Sequence, residues 1–270
     1  MTIPYPKFDL NIAKDGYCWW YLDAISDDQH HAITVIAMLG NVFSPYYAWS
    51  RNKRATDPLN HCAMNVVLYG SKYKHWAMTE RGIDALSRRP DYLQIGPSSL
   101  IWEKDHFKIS IKEITVPWPS SLKGEIKIFP DTLNNHREKL DEAGRHLWHP
   151  ISPISRVEVN FLEPDLSWQG EAYFDSNQGE RPLEKDFIYW NWSRAPLTNR
   201  TAILYDISRR DRQQTMINLL IDRKGHIEKF NAPEQTKLAT TGWRIKRETY
   251  SDDKSASVMK TLEDTPFYSR

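Results

Sequence analysis

The chain has 270 residues, long enough to bury a substantial core without disulfide or metal staples. Its 36 Lys and Arg balance 35 Asp and Glu, for a formal net charge of +1, which argues against a nucleic-acid binder. Eleven Trp, thirteen Tyr and nine Phe, with 11 Gly and 16 Pro, favour strands, turns and aromatic-lined surfaces over a helical bundle.

In chain order, residues 1–16 show no basic start followed by an apolar core. The expectation is no signal peptide and a cytoplasmic protein with reduced thiols, in which Cys18 and Cys62 make no disulfide framework. The aromatic segment GYCWWYLD (16–23) places Trp20 on the strand face opposite Tyr21 and Asp23. Ala32–Leu39 is a continuous apolar run ending at Gly40-Asn41, as in a strand buried on both faces, and is far too short to span a bilayer. Val42–Trp49, with Tyr46, Tyr47 and Trp49, reads as a turn or loop opening into a strand. As a wall for an apolar ligand it competes with ordinary core packing, the commoner fate of such segments.

Phe107, Ile109 and Ile111 alternate with Lys108, Ser110 and Lys112, and Ile126 and Ile128 continue the pattern. Val157, Val159 and Phe161 do the same against Arg156, Glu158 and Asn160, so all three stretches predict half-buried strands. From 165 to 175, Leu166, Trp168, Gly170, Ala172 and Phe174 share one face, with Tyr173 and Asp175 on the other. Residues 201–207 and 215–222 read as strands, the second returning through Asp222-Arg223-Lys224-Gly225 into 226–230 as a hairpin. Short helices are expected near Asp131–Glu142 and Pro233–Thr241. The prolines of His149-Pro150-Ile151-Ser152-Pro153 mark the expected joint between domains 1–150 and 151–270.

Two pairs stand out for chemistry. His146-x-Trp148 and Tyr173-x-Asp175 each put an ionisable group beside an aromatic ring on one strand face. Carboxyl, imidazole, phenol and indole together suit protonation of an apolar substrate and stabilisation of the resulting cation. Taken singly, Asp175 reads as a turn residue and His146 as a satisfied buried histidine. No histidine or cysteine spacing matches a zinc site, and GxGxxG, GxxxxGK[ST] and GxSxG are missing. On these residues alone the chain is a β-rich protein with an aromatic-lined cavity.

Longer motifs carry a resemblance. GYCWWYLDAISDD (16–28), FSPYYAW (43–49), DPLNHCAMNVVLYG (57–70), HWAMTERG (75–82), RHLWHPISP (145–153), YFDSNQGERPLE (173–184), WNWSRA (190–195) and TLEDTPFY (261–268) closely resemble the carotenoid 1,2-hydratase (hydroxyneurosporene synthase) family. The resemblance implies an all-β chain of two tandem lipocalin-like β-barrel or sandwich halves, with few short helices. It implies hydration of the terminal C1=C2 bond of acyclic carotenoids such as lycopene or neurosporene, with no organic or metal cofactor. His146, Trp148, Tyr173 and Asp175 match the residues implicated in the family's catalysis. Trp20, Tyr21, Asp23, Tyr46, Tyr47, Trp49, Trp190 and Trp192, from the aromatic segments, are the candidate substrate contacts. The expected partners are the polyene, water and, peripherally, an inner or photosynthetic membrane. A lipocalin-like cyclase or pericyclase acting on a polyene or polyketide, and a non-catalytic carrier of an apolar ligand, are the competing readings.

Overall fold

The structure is a computed structural model that describes residues 6–70, 74–253, 255–266 and 268–270. The first five residues of the N-terminal segment read above, and Phe267 of the last motif, lie outside the described residues. The chain divides into two compact units, Met1–Phe187 with Asp222–Gly225, and Ile188–Ile221 with His226–Arg270.

The first unit is one antiparallel sheet. Its strands are β1 (Tyr17–Ser26), β2 (Ala32–Leu39), β3 (Cys62–Tyr69), β4 (Lys74–Arg81), β5 (Leu86–Arg89), β6 (Tyr92–Ile95), β7 (Ser98–Glu103), β8 (His106–Ile114), β9 (Ser121–Pro130), β10 (Glu138–Lys139), β11 (His146–Glu163) and β12 (Asp165–Gly179). The order across the sheet is β4-β3-β2-β1-β12-β11-β9-β8-β7-β6-β5, with β10 paired to β11. The sheet curls until β4 meets the end of β8. Val116 N–H donates to the Trp76 carbonyl at 2.8 Å, and Arg81 pairs with buried Glu113 at 2.6 Å. The result is a nearly closed barrel. Trp20, Leu22, Val35, Val66, Phe107, Ile126, Val159 and Phe174 fill its apolar core, each from the inward-facing positions that strand alternation selects.

In the second unit a four-stranded sheet runs β13 (Phe187–Pro196), β14 (Arg200–Arg209), β15 (Gln214–Asp222) and β16 (Ile227–Lys229). Two further hairpins follow, β17 (Gln235–Leu238) with β18 (Arg247–Tyr250), and β19 (Asp264–Thr265) with β20 (Tyr268–Ser269). The β15–β16 turn, whose residues Asp222–Gly225 group with the first unit, is the one expected, closed by Gly225 N–H to the Asp222 carbonyl, with Gly225 at φ +84°. The all-β class with few helices therefore holds.

Three local expectations are corrected. The prolines at 150 and 153 sit inside β11, where the register with β12 shifts between His149 and Ser152 and again between Ser152 and Ser155. Proline lacks the ladder N–H, so a bulged stretch accommodates it without ending the strand. The first compact unit accordingly runs on to Phe187 and does not stop at 150. Tyr46, Tyr47 and Trp49 lie on a helix, α1 (Pro45–Lys53), because the Ser44 side chain caps the Tyr47 N–H at 3.1 Å and Pro45 pre-sets the first turn. Neither expected helix forms. Asn134 and Leu140 donate their N–H groups to Ile151 and His146 of β11, and residues 235–238 pair as β17.

Candidate active site

Three adjacent strands build the site. β12 lies between β1 and β11, and the ladders set Tyr21 opposite Asp175, Asp23 opposite Tyr173, and Trp148 opposite Asn177. Residues 21, 23, 148, 173 and 175 consequently share the sheet face opposite the one bearing Trp20, Leu22 and Phe174. That face is polar in sequence yet buried. Asp175 is 3% exposed, Asp23 2%, and Trp148 and Tyr173 are fully enclosed.

Asp175 is the centre. The Trp148 indole N–H and the Tyr173 hydroxyl both donate to its Oδ2, each at 2.8 Å. Its Oδ1 has no hydrogen-bond partner among the described residues. Burial pushes the carboxyl up and the negative charge of Asp23 adds to the push, while the two donors to Oδ2 oppose it. Desolvation wins, and the pKa rises from 3.8 to about 7. With Oδ2 accepting two donors, Oδ1 is the atom left to carry the proton in the acid form. Burial and the neighbouring Asp175 hold the Tyr173 phenol well above its ordinary range. The Tyr21 hydroxyl donates to Asp23 Oδ2 at 3.3 Å.

His146, grouped with Asp175 by the resemblance, makes its own side-chain contacts elsewhere. Its Nε2 lies 2.8 Å from Asp186 Oδ2 and its Nδ1 2.9 Å from the Tyr17 hydroxyl. Asp186, on the short helix α2 (Leu183–Asp186), is held well below the usual carboxylate range by the Arg181 guanidinium, with His146 and Arg145 assisting. A carboxylate only accepts, so Nε2 carries a proton toward Asp186, while Nδ1 and the Tyr17 hydroxyl share a hydrogen bond. The His146 N–H donates to Asp141 Oδ1 at 2.9 Å, and the ring stacks on Tyr17. Gly179 makes room for this pair, since a Cβ there would lie 2.4 Å from Tyr17 and 2.5 Å from His146.

Of the candidate contacts, Tyr21 and Asp23 join the Asp175 group. Trp20 packs edge-on against Phe8 in the core. Tyr47 is buried on α1, its hydroxyl donating to the Gly16 carbonyl at 2.6 Å. Tyr46 and Trp49 are exposed, with Lys53 over the Trp49 ring. Trp190 and Trp192 belong to the second unit, on β13, exposed and half-buried respectively. Tyr17 and Asp186 were missed as site residues. Alternation from Tyr21 back to Tyr17 was the available signal for one, but nothing in the spacing announces Asp186. Among the described residues no group of three or more His, Cys, Asp or Glu side chains is arranged to hold a metal ion.

The nearly closed all-β barrel defines the class by its fold, which is lipocalin-like. The same fold occurs in the crystal structure of NE1406, assigned as an AttH protein, from Nitrosomonas europaea. The TM-score is 0.61 and the identity 14%, covering 89% of this chain and 76% of that one. The family profile described as Carotenoid hydratase CrtC matches residues 35–270, and the chain belongs to that family. Its relatives include the acyclic carotenoid 1,2-hydratase of Thiocapsa roseopersicina, 51% identical over 98% of this chain. That of Rubrivivax gelatinosus is 44% identical over 98%. The chain spans 66% of the length of each of these two relatives.

Proposed function

We propose that this protein hydrates acyclic carotenoids, adding water across the terminal C1=C2 bond to give a tertiary 1-hydroxy product. The observation that carries the proposal is Asp175, a buried carboxyl with a pKa near neutrality and two aromatic donors on one oxygen. Two relatives are named acyclic carotenoid 1,2-hydratase, which supplies the substrate class.

Markovnikov hydration of a trisubstituted alkene calls for an acid at C2 and water at C1. The Asp175 Oδ1–H bond breaks as C2–H forms, leaving a tertiary cation at C1. Negative charge then develops on the carboxyl, and the Trp148 and Tyr173 donors to Oδ2 strengthen as it does. That interaction is stronger in the transition state than in the ground state, which is what lowers a barrier. The adjoining indole and phenol rings stabilise the cation by about 0.5 to 2 kcal/mol each where water is excluded. His146 anchors Tyr17 and the neighbouring ends of β1, β11 and β12, and so acts as a positioning residue. No step calls for a cofactor.

Affinity for a long polyene comes from apolar burial, at roughly 25 cal/mol per Å². A substrate dissolved in lipid must be collected from it, and among the described residues no helix is long and apolar enough to cross a membrane. The contact assigned here is peripheral, through Ile114, Val116, Trp118 and Leu162. These exposed side chains project near the β8–β9 and β11–β12 turns, which the Lys123–Glu163 ion pair ties together.

Co-expression with lycopene-producing enzymes, followed by mass spectrometry of the pigments, tests the activity. Gain of the mass of one water is expected. An unchanged mass with an altered spectrum, meaning isomerisation or cyclisation, contradicts the proposal, as does unchanged pigment, which fits a carrier.

A further inference from the structure

Acid catalysis accounts for half of a hydration. When the oxygen of water bonds to C1, the resulting oxonium must lose a proton, and a group beside Asp175 has to receive it. His146 is the obvious histidine, but its Nε2 is engaged by Asp186 and its Nδ1 by the Tyr17 hydroxyl. Tyr173 is already a donor to Asp175, with its phenol held well above the ordinary range.

We infer that Asp23 is the general base of the reaction, taking the proton that water loses as its oxygen bonds to C1. The inference rests on the reading of Asp175 as the acid. Its support is positional. Asp23 sits opposite Tyr173 in the β1–β12 ladder and Asp175 opposite Tyr21, so the two carboxyls are diagonal neighbours on one sheet face. Diagonal positions on paired strands are about 7 to 8 Å apart, so both carboxyls rise from one small patch of the face. Both side chains are at least nine-tenths buried, and Asp175 Oδ1 is unpartnered among the described residues. The titratable neighbours of Asp23 on these strands are Tyr21 on its own and Tyr173 and Asp175 on β12, while its β2 partner is Thr34. Asp23 raises the Asp175 pKa by its charge. With Asp175 holding the proton and the charge of Asp23 helping to keep it there, the two carboxyls divide the acid and base roles between them.

The proton count closes. Asp175 gives its proton to C2 and becomes a carboxylate. Water supplies the lone pair that forms the C–O bond, and one water proton ends on Asp23. Exchange with solvent then returns one proton to Asp175 and removes one from Asp23.

The test compares Asp23→Asn with wild type, using lycopene dispersed in detergent. A positioned base contributes about 10²- to 10⁴-fold, so kcat should fall at least about 100-fold while tryptophan quenching by bound lycopene stays unchanged. The wild-type rate should be bell-shaped in pH, falling in acid as Asp23 takes up a proton and in alkali as Asp175 loses one. Asp23→Asn should lose the acid limb and keep the alkaline limb, moved to lower pH by loss of the neighbouring charge. Asp23→Glu should restore part of the rate and return an acid limb. An Asp23→Asn enzyme with wild-type kcat, or one that keeps the acid limb, overturns the inference. Should the Asn variant fail to fold, Asp23→Glu decides, and an acid limb at the wild-type position overturns it. Inactive Asp175→Asn beside unaffected Asp23→Asn removes the base alone, whereas an active Asp175→Asn removes the acid reading beneath it.

Discussion

Asp175 combines two demands that oppose each other in water, being a strong enough donor and still being protonated. Its burial supplies the second, and the Trp148 and Tyr173 donors moderate the shift. Two pH effects follow. With Asp175 as the proposed acid, the active form would be the protonated one, so hydration should decline as pH rises through about 7. For stability, the folded-state pKa lies above the ordinary 3.8, so between about 4 and about 7 the native chain binds more protons than the unfolded one. The Asp175 contribution is full below 3.8 and is lost as pH rises through about 7. Thermal midpoints measured across that window should decline with pH more steeply in wild type than in Asp175→Asn, which has no proton to lose. Parallel curves would contradict the assigned pKa.

At the scale of elements, the site is a property of strand register. The pairs at 146/148 and 173/175 were legible because alternation alone puts i and i+2 on one face. Their union was not, because it depends on β11 keeping register with β12 from His146 to His149 before the proline-containing bulges break it. The fate of the polar face of β12 was equally hidden, since a polar face reads as solvated until a structure shows it buried. The strands at 107–111 and 157–161 were read correctly from period-two patterns, and that at 32–39 from its continuous apolar run. Helix α1 went unread although Ser44-Pro45 is a capping signal, because its aromatic content weighed toward a strand. Asp186 was out of reach, brought to His146 by a turn and a short helix 40 residues along the chain. Gly179 offers a test of that contact. Gly179→Ala drives a methyl into Tyr17 and His146, and overpacking of this kind costs about 1 to 3 kcal/mol. Thermal denaturation should report a lower midpoint together with reduced hydration, and an unchanged midpoint would mean that the pair has slack.

At the scale of the molecule, the first unit holds the whole assigned acid–base apparatus, with His146 and Asp186 as its anchor, while the second unit is an all-β body of its own. Under the proposed function, collecting a lipid-dissolved substrate would fall to exposed apolar side chains, of which Trp118 is 83% exposed. Trp118→Ser with Leu162→Ser should lower co-sedimentation with phospholipid vesicles several-fold and slow turnover of vesicle-borne lycopene, while leaving turnover of detergent-dispersed lycopene unchanged. Equal vesicle binding by wild type and double variant would rule that surface out. The central claim is that Asp175 delivers the proton, and its most direct test is the lycopene hydration rate of Asp175→Asn near pH 6, with circular dichroism establishing the native fold. The account predicts a fall of at least about 100-fold, and a rate near that of wild type would contradict it.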